Sequence, residues 1–328
     1  MIRNRISMGR WTAMTSVLVL CILAVGCGGD ADSGGGTGGA SSSRGDGPVR
    51  VVAVNYPLAY FAERMAGDAV EVEFPAPADV DPAFWRPTRD EIAAMQSADL
   101  ILRNGAGYAK WIATASLPAT KVVDTSASFS ERYLKIQEAV THSHGPDGEH
   151  THETLDFNTW LDPMLARGHA RGVQDALTRI VPRERDAIQK RFDELAEDLR
   201  MLDREHQALA KNLGATPLVA SHPVYGYLAD RYGWNLESLH WEPTEMPSED
   251  EWKKLEALLE RHPAKILIWE GEPDPAISQT LTERTGMRSV VFDPLGNRRG
   301  DGEAGEGADY IEAMQANILA LGKAAAGG

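Results

Sequence analysis

From residue 49 onward, apolar positions follow two alternating rhythms. Val49-Arg50-Val51-Val52-Ala53-Val54 is a short apolar run that predicts a buried strand, and Pro57 to Met65 then repeats with helical spacing. Val70-Glu71-Val72-Glu73-Phe74 alternates as a strand does. Thr88 with Glu91 three places on is a capping box opening a helix. Asp99-Leu100-Ile101-Leu102 and Lys121-Val122-Val123-Asp124 predict two further strands, the first ended by Asn104-Gly105. Strands alternating with helices imply a largely parallel α/β sheet.

Between Pro163 and Leu213 the strand signal disappears. Ile188, Phe192, Leu195, Leu199 and Leu202 recur at three- and four-residue steps, and His206 continues the stripe. Pro182 predicts a break between a shorter helix and a long one of about 25 to 30 residues, spanning about 40 Å. The α/β rhythm then resumes. Strands are predicted at 217–221, 236–240, 265–269 and 289–292. Helices are predicted up to Tyr232, from a Ser248/Glu251 capping box to Arg261, over 276–285 and over 309–323. The fold class expected is α/β: two lobes with mainly parallel sheets flanked by helices, joined by a long rigid connecting helix. Residues 49–162 form the N-terminal lobe, 163–213 the connecting helices and 214–328 the C-terminal lobe.

The N-terminus follows neither rhythm. Arg3, Arg5 and Arg10 precede an apolar run from Trp11 to Gly26 that is short for a membrane span. Leu23-Ala24-Val25-Gly26-Cys27 places small residues before a cysteine, so 1–27 reads as a secretory signal. Residues 28–48, nearly all Gly, Ser, Asp, Ala and Thr at first, cannot bury a core and read as a flexible tether. The chain's two cysteines are Cys21, inside the signal, and Cys27, so the domain itself holds neither disulfide nor thiolate ligand. Any metal site must use His, Asp, Glu or water. Removing three basic residues with the signal leaves 30 against 48 acidic ones, a net charge of −18. Such a chain repels nucleic acid and mildly attracts cations.

Candidate chemistry concentrates in two places. In open α/β sheets, ligands sit beyond the carboxyl ends of strands. His222, Glu270 and Asp293 each follow a predicted strand, and their convergence on one edge makes them candidates together. Four of the nine histidines, His142, His144, His150 and His152, crowd into a Gly- and acid-rich loop at 141–153. His169, His206 and His262 read as structural, while His240 lies at a predicted strand end.

The order of motifs resembles the zinc/manganese-type metal solute-binding lipoproteins of bacterial ABC importers. The signal with its lipobox is followed by Asp-Pro-Ala-Phe-Trp-Arg-Pro-Thr (81–88), Asn-Gly-Ala-Gly-Tyr-Ala-Lys-Trp (104–111) and the His-rich insertion. Thr-Trp-Leu-Asp-Pro (159–163), the long helix, Ala-Ser-His (220–222) with Tyr-Gly-Tyr-Leu (225–228), and Asp-Pro-Leu-Gly (293–296) complete the series. The resemblance implies a cleft between lobes holding one divalent ion, usually through three histidines and a carboxylate. It implies cleavage before Cys27, a diacylglycerol on its sulfur and an extracytoplasmic, membrane-anchored monomer. The implied partners are an ABC permease and its ATPase, and the implied ligand is transported Zn²⁺, ahead of Mn²⁺. His222 and Asp293 occupy ligand positions of the pattern. Ala83 and Asn158 stand where histidines are usual, and Asn158 offers only a neutral amide oxygen.

Zinc prefers four ligands, mostly nitrogen or sulfur with some carboxylate. The two vacancies favour loop histidines as ligands completing the site, over a loop that only collects ions. Glu242, Glu270 and Asn158 are possible substitute ligands. The alternatives to metal capture are a degenerate member acting as adhesin, sensor or weak metal buffer, and a zinc hydrolase. The hydrolase lacks a His-Glu-x-x-His helix and a Gly-x-Ser-x-Gly elbow, so no enzyme activity is expected.

Overall fold

A computed structural model describes residues 47–137, 153–298 and 309–327. The signal segment with Cys27, nearly all of the tether, and His142, His144, His150 and His152 lie outside the described residues.

The first lobe begins with β1 (Arg50–Ala53), α1 (Tyr56–Ala66), β2 (Glu71–Glu73), α2 (Arg89–Ser97), β3 (Leu100–Arg103) and β4 (Val122–Asp124). Its sheet runs β2-β1-β3-β4, all parallel, with Val51 opposite both Val72 and Leu100. Asn55 caps α1 by accepting from Leu58 N. The Thr88/Glu91 capping box forms as its spacing predicts.

One element escaped the hydrophobic pattern. β5 (Lys135–Gln137) pairs antiparallel with β6 (Glu153–Leu155), Ile136 opposite Thr154, so the His-rich stretch is the insert of a hairpin. Its base is anchored by the second lobe: Tyr227 Oη donates to Asp156 O at 3.0 Å and accepts from Leu134 N at 3.1 Å.

α3 (Pro163–Ile180) and α4 (Arg185–Leu213) form the connector, broken around Pro182 as its ring requires. At 29 residues α4 is about 43 Å long. The second lobe then adds β7 (Pro217–Ala220), α5 (Gly226–Tyr232), β8 (Asn235–Ser238), α6 (Glu249–Arg261), β9 (Ile266–Trp269), α7 (Pro275–Thr285), β10 (Arg288–Val291) and α8 (Tyr310–Ala325). Its sheet runs β10-β9-β7-β8, again parallel throughout.

The apolar stripe of α4 unites the two lobes. Leu195, Leu199 and Leu202 share one buried cluster with Leu58 and Phe61 of α1, Leu218 of β7, Ile268 of β9 and Met314 of α8. His206 lies in the stripe, buried and stacked on Tyr232 with ring centroids 5.0 Å apart, and Leu209 and Leu213 continue it. His169 is buried between the hydroxyls of Thr125 and Thr159, at 2.7 and 2.8 Å from its two ring nitrogens. His262 Nε2 lies 2.8 Å from Leu218 O. All three are structural, as expected.

Burial holds both His169 and His206 down to about 3. The unfolded chain takes protons on these rings below about 6.5 and the folded chain does not. Stability is therefore lost as pH falls from about 6.5 toward 3. Burial raises Asp156 to about 7, against the donors of Asn158, and it acts with the opposite sign, gaining stability as pH falls from about 7 to about 4. The variant H206F removes one proton acceptor from the unfolded state. Its urea midpoint should fall less than the wild type's between pH 7 and pH 5. An unchanged pH dependence would show that His206 is not held neutral.

Candidate metal centre

The carboxyl ends of the second sheet's strands converge at one edge. β7 runs into Ser221, whose N donates to Ile268 O at 2.8 Å and carries the sheet one residue further, to His222. β9 ends directly before Glu270. Beyond β8 the chain stays zipped to β7, because Leu239 N donates to Ala220 O and Trp241 N to Ser221 O. Trp241 is buried against Trp252, with ring centroids 4.8 Å apart. That anchor aims the next residue, Glu242, at His222.

His222, Glu242 and Glu270 each bring a ligating atom within 4.8 Å of the others. Glu270 Oε1 lies 3.1 Å from His222 Nδ1, and Glu242 Oε1 lies 3.6 Å from Nε2. The first contact is an ion pair set off the ring's axis, so Nδ1 has no aligned hydrogen-bond partner. Donors about 2.0–2.1 Å from a tetrahedral ion stand about 3.3 Å apart; the two short contacts fall on different ring nitrogens, so one carboxylate must move closer for all three side chains to share an ion. Only one ring nitrogen can meet a given ion. The other ring nitrogen stays outside the coordination sphere.

The charge balance is set by the same contacts. Desolvation pulls the His222 imidazole down, but Glu270, then Glu242, outweigh it and hold it above its ordinary value. Two carboxylates facing one imidazole form a site that a divalent cation neutralises better than a proton does.

The remaining expectations divide. Asp293 follows Phe292 at the end of β10, on the predicted edge, and stands outside the trio. Its Oδ1 accepts from Leu295 N at 2.7 Å, and Asn317 clamps its backbone on both sides. Its charge and that of Glu270 both bear on Tyr225, whose buried hydroxyl donates to Phe292 O at 2.6 Å. Asn158 is buried, and its Nδ2 donates to Asp156 Oδ1 at 3.0 Å. Ala83 is 5% exposed and packs in the main core. Of the aromatics that follow Ala83, Trp85 is core, edge-on to Trp111, while Phe84 is 66% exposed. His240 is exposed, its ring edge-on to His222 at 5.9 Å between centroids. The histidines of 141–153 lie outside the described residues.

Sequence reasoning passed over Asp81. Its carboxylate lies in the field of Glu270, Glu242 and His222, although it belongs to the first lobe. The residue stands two places before Ala83, inside the motif where a histidine was sought, and a carboxylate there was the available signal.

The electrostatic balance makes a direct prediction. In E270Q the principal carboxylate facing His222 is gone, so the imidazole should titrate at lower pH than in wild type when followed by NMR of its ring protons. An unchanged titration would mean that Glu270 does not set the charge of His222.

Comparison with known proteins agrees with this architecture. Residues 51–324 match the family model described as "Zinc-uptake complex component A periplasmic". The chain is 26% identical over 315 residues to the high-affinity zinc uptake system protein ZnuA of Bacillus subtilis, covering 95% of this chain and 97% of that one. It is 26% identical over 289 residues to the zinc-binding lipoprotein AdcA of Streptococcus pneumoniae, spanning 56% of that longer protein. In fold it is similar to the Zn(II)-bound ZnuA-like domain of Streptococcus pneumoniae AdcA, with a TM-score of 0.71 at 22% identity over 84% of this chain and 98% of that one. It is also similar to FpvC of Pseudomonas aeruginosa in complex with Mn²⁺, with a TM-score of 0.66 at 19% identity over 86% of this chain and 99% of that one. With two parallel-sheet lobes on a long connecting helix and a match over nearly all its described residues, the chain belongs to the zinc-uptake complex component A family of periplasmic solute-binding proteins.

Proposed function

We propose that the protein captures Zn²⁺ outside the cytoplasmic membrane and delivers it to the permease and ATPase of an ABC importer, without covalent chemistry. The observation that carries this reading is the His222–Glu242–Glu270 cluster at the strand ends of the second lobe. His222 is the imidazole ligand, and Glu242 and Glu270 supply the carboxylates that Ala83 and Asn158 cannot replace. Asp293, on the same edge, holds the negative field and the Tyr225 neighbourhood in place. One imidazole among carboxylates accepts zinc and also tolerates manganese, so discrimination between them rests on geometry and availability.

With carboxylates available in the cleft, His142, His144, His150 and His152 serve to collect ions rather than to complete the site. Their hairpin is tied to Tyr227, five residues beyond His222, which keeps the collected ions near the cleft. The leader at 1–27 directs export, Cys27 carries the lipid, and 28–48 is the tether. The name of AdcA as a lipoprotein supports the anchor. The protein acts as a monomer on the membrane surface.

Calorimetric titration with zinc at neutral pH tests this reading. Wild type should show one tight site, and H222A should lose about 100-fold or more, since even outer partners of metal ligands commonly cost 10–100-fold. His222 must release its proton to bind, and its carboxylates hold that proton above the ordinary pH. Zinc affinity should therefore weaken as pH falls, starting above the ordinary imidazole value of about 6.5, with protons released on binding. Deleting 141–153 should remove weak sites and leave the tight one. Loss of the tight site on deletion would instead make the loop histidines ligands, and absence of a tight site in wild type would favour a degenerate member of the family.

A further inference from the structure

We propose that Glu242 is the exchange arm of the metal centre, the donor that closes on a captured ion last and leaves it first, so that it sets the rate of release. The inference rests on the metal-capture reading above and divides the roles within that site.

The three side chains of the cluster are unequally exposed. Those of His222 and Glu270 are 22% and 26% exposed, and that of Glu242 is 58% exposed. His222 and Glu270 also make the shorter contact, 3.1 Å against 3.6 Å between His222 and Glu242. The sheet carries this inner pair. Glu270 follows β9 directly. The backbone at His222 is held on both sides, by Ser221 N donating to Ile268 O at 2.8 Å and by His222 O accepting from Val224 N at 2.9 Å.

The backbone at Glu242 is held as firmly, by other means. Before it, Trp241 N donates to Ser221 O at 2.8 Å and the Trp241 ring is buried. After it, Pro243 O accepts from Asp274 N at 2.8 Å. Gly271, next to Glu270, lies against the Pro243 ring, with 3.7 Å between Pro243 Cγ and the position a Cβ would take there. The loops bearing the two carboxylates are thus tied to each other. Pro243 also restricts the residue before it, because its ring disfavours helical backbone there. The freedom left to Glu242 is in its side-chain torsions. Among the described residues its one ion-pair partner is His222.

A fixed base with a free arm suits ligand exchange. Donors sharing a tetrahedral zinc ion stand about 3.3 Å apart, and the three ligating atoms already lie within 4.8 Å of one another, so moving the Glu242 carboxylate by about 1.5 Å brings it onto the ion without backbone motion. Zinc expands from four donors to five during exchange. Water therefore reaches the ion on the open, Glu242 side before that carboxylate lets go, and no proton has to move. The shielded pair, His222 and Glu270, is replaced afterwards. A rim charge that only attracts cations acts on association. An arm that grips the bound ion acts on dissociation, and this separates the two roles.

The test is stopped-flow kinetics on the full chain, with zinc ion as the metal and an excess of a chromophoric chelator as the trap. E242D keeps the charge and shortens the arm by one methylene. E242Q keeps the length and loses the charge. Zinc should leave the tight site about 10-fold faster or more in both variants, since even outer partners of metal ligands commonly cost 10–100-fold. Association of E242D should stay within about threefold of wild type, because its charge is intact. Dissociation within about threefold of wild type in both variants, while H222A and E270Q lose the tight site, overturns the exchange arm and leaves the metal-capture reading intact. Slower association of E242Q with unchanged dissociation in both also overturns it, and assigns Glu242 to steering alone. Wild type without a tight site, or H222A holding zinc as wild type does, overturns both.

Discussion

The burial of one face of α4 is the constraint on which the rest of the structure depends. A helix of 29 residues with mean hydropathy well below zero holds its place only because Ile188, Phe192, Leu195, Leu199, Leu202 and Leu209 are removed from water together. α1 packs on α4 from the first lobe and α8 from the second, and β7 and β9 belong to the same buried cluster. Two sheets built by separate stretches of chain therefore share one continuous core. A cleft between lobes joined in this way changes shape by small movements, because wide opening would expose the shared core.

That rigidity gives the strand ends their use. Four parallel strands end at one edge of the second sheet; Glu270 directly follows β9, and His222 and Asp293 stand one position further on past β7 and β10. Glu242 reaches His222 through a loop pinned by buried Trp241, while Asp293 stays outside the trio. Carboxylates crowded around one imidazole are unfavourable to each other without a cation. The energy that holds them together comes from the packing beneath, which makes the site a standing demand for positive charge. Histidines placed elsewhere show the contrast: His169 and His206 are buried, kept neutral and satisfied or stacked, and have no role at the edge.

The fold was largely legible because its signals are local. Capping boxes at Thr88 and Ser248, the break around Pro182 and the apolar runs of the parallel strands each determine structure within a few residues. The hairpin of β5 and β6 was not legible, since three-residue strands on either side of a polar insertion carry no period. The site was legible only in part. His222 and the strand-end position of Glu270 follow from where strands stop. Glu242 ranked low because a carboxylate in a loop is usually solvated, and only the pairing of Trp241 N with Ser221 O shows where it points. Asn158 stands at a ligand position of the pattern, and its Nδ2 donates to the buried Asp156.

The donor set itself is the central claim, and it can be counted. X-ray absorption at the zinc edge, on protein carrying one equivalent of zinc, reports how many imidazoles surround the ion. A single imidazole with the remaining shell made of oxygen at about 2.0–2.2 Å is the expected result. Two or more imidazoles per ion would bring in His240 or the loop histidines and contradict a carboxylate site with His222 as its single imidazole.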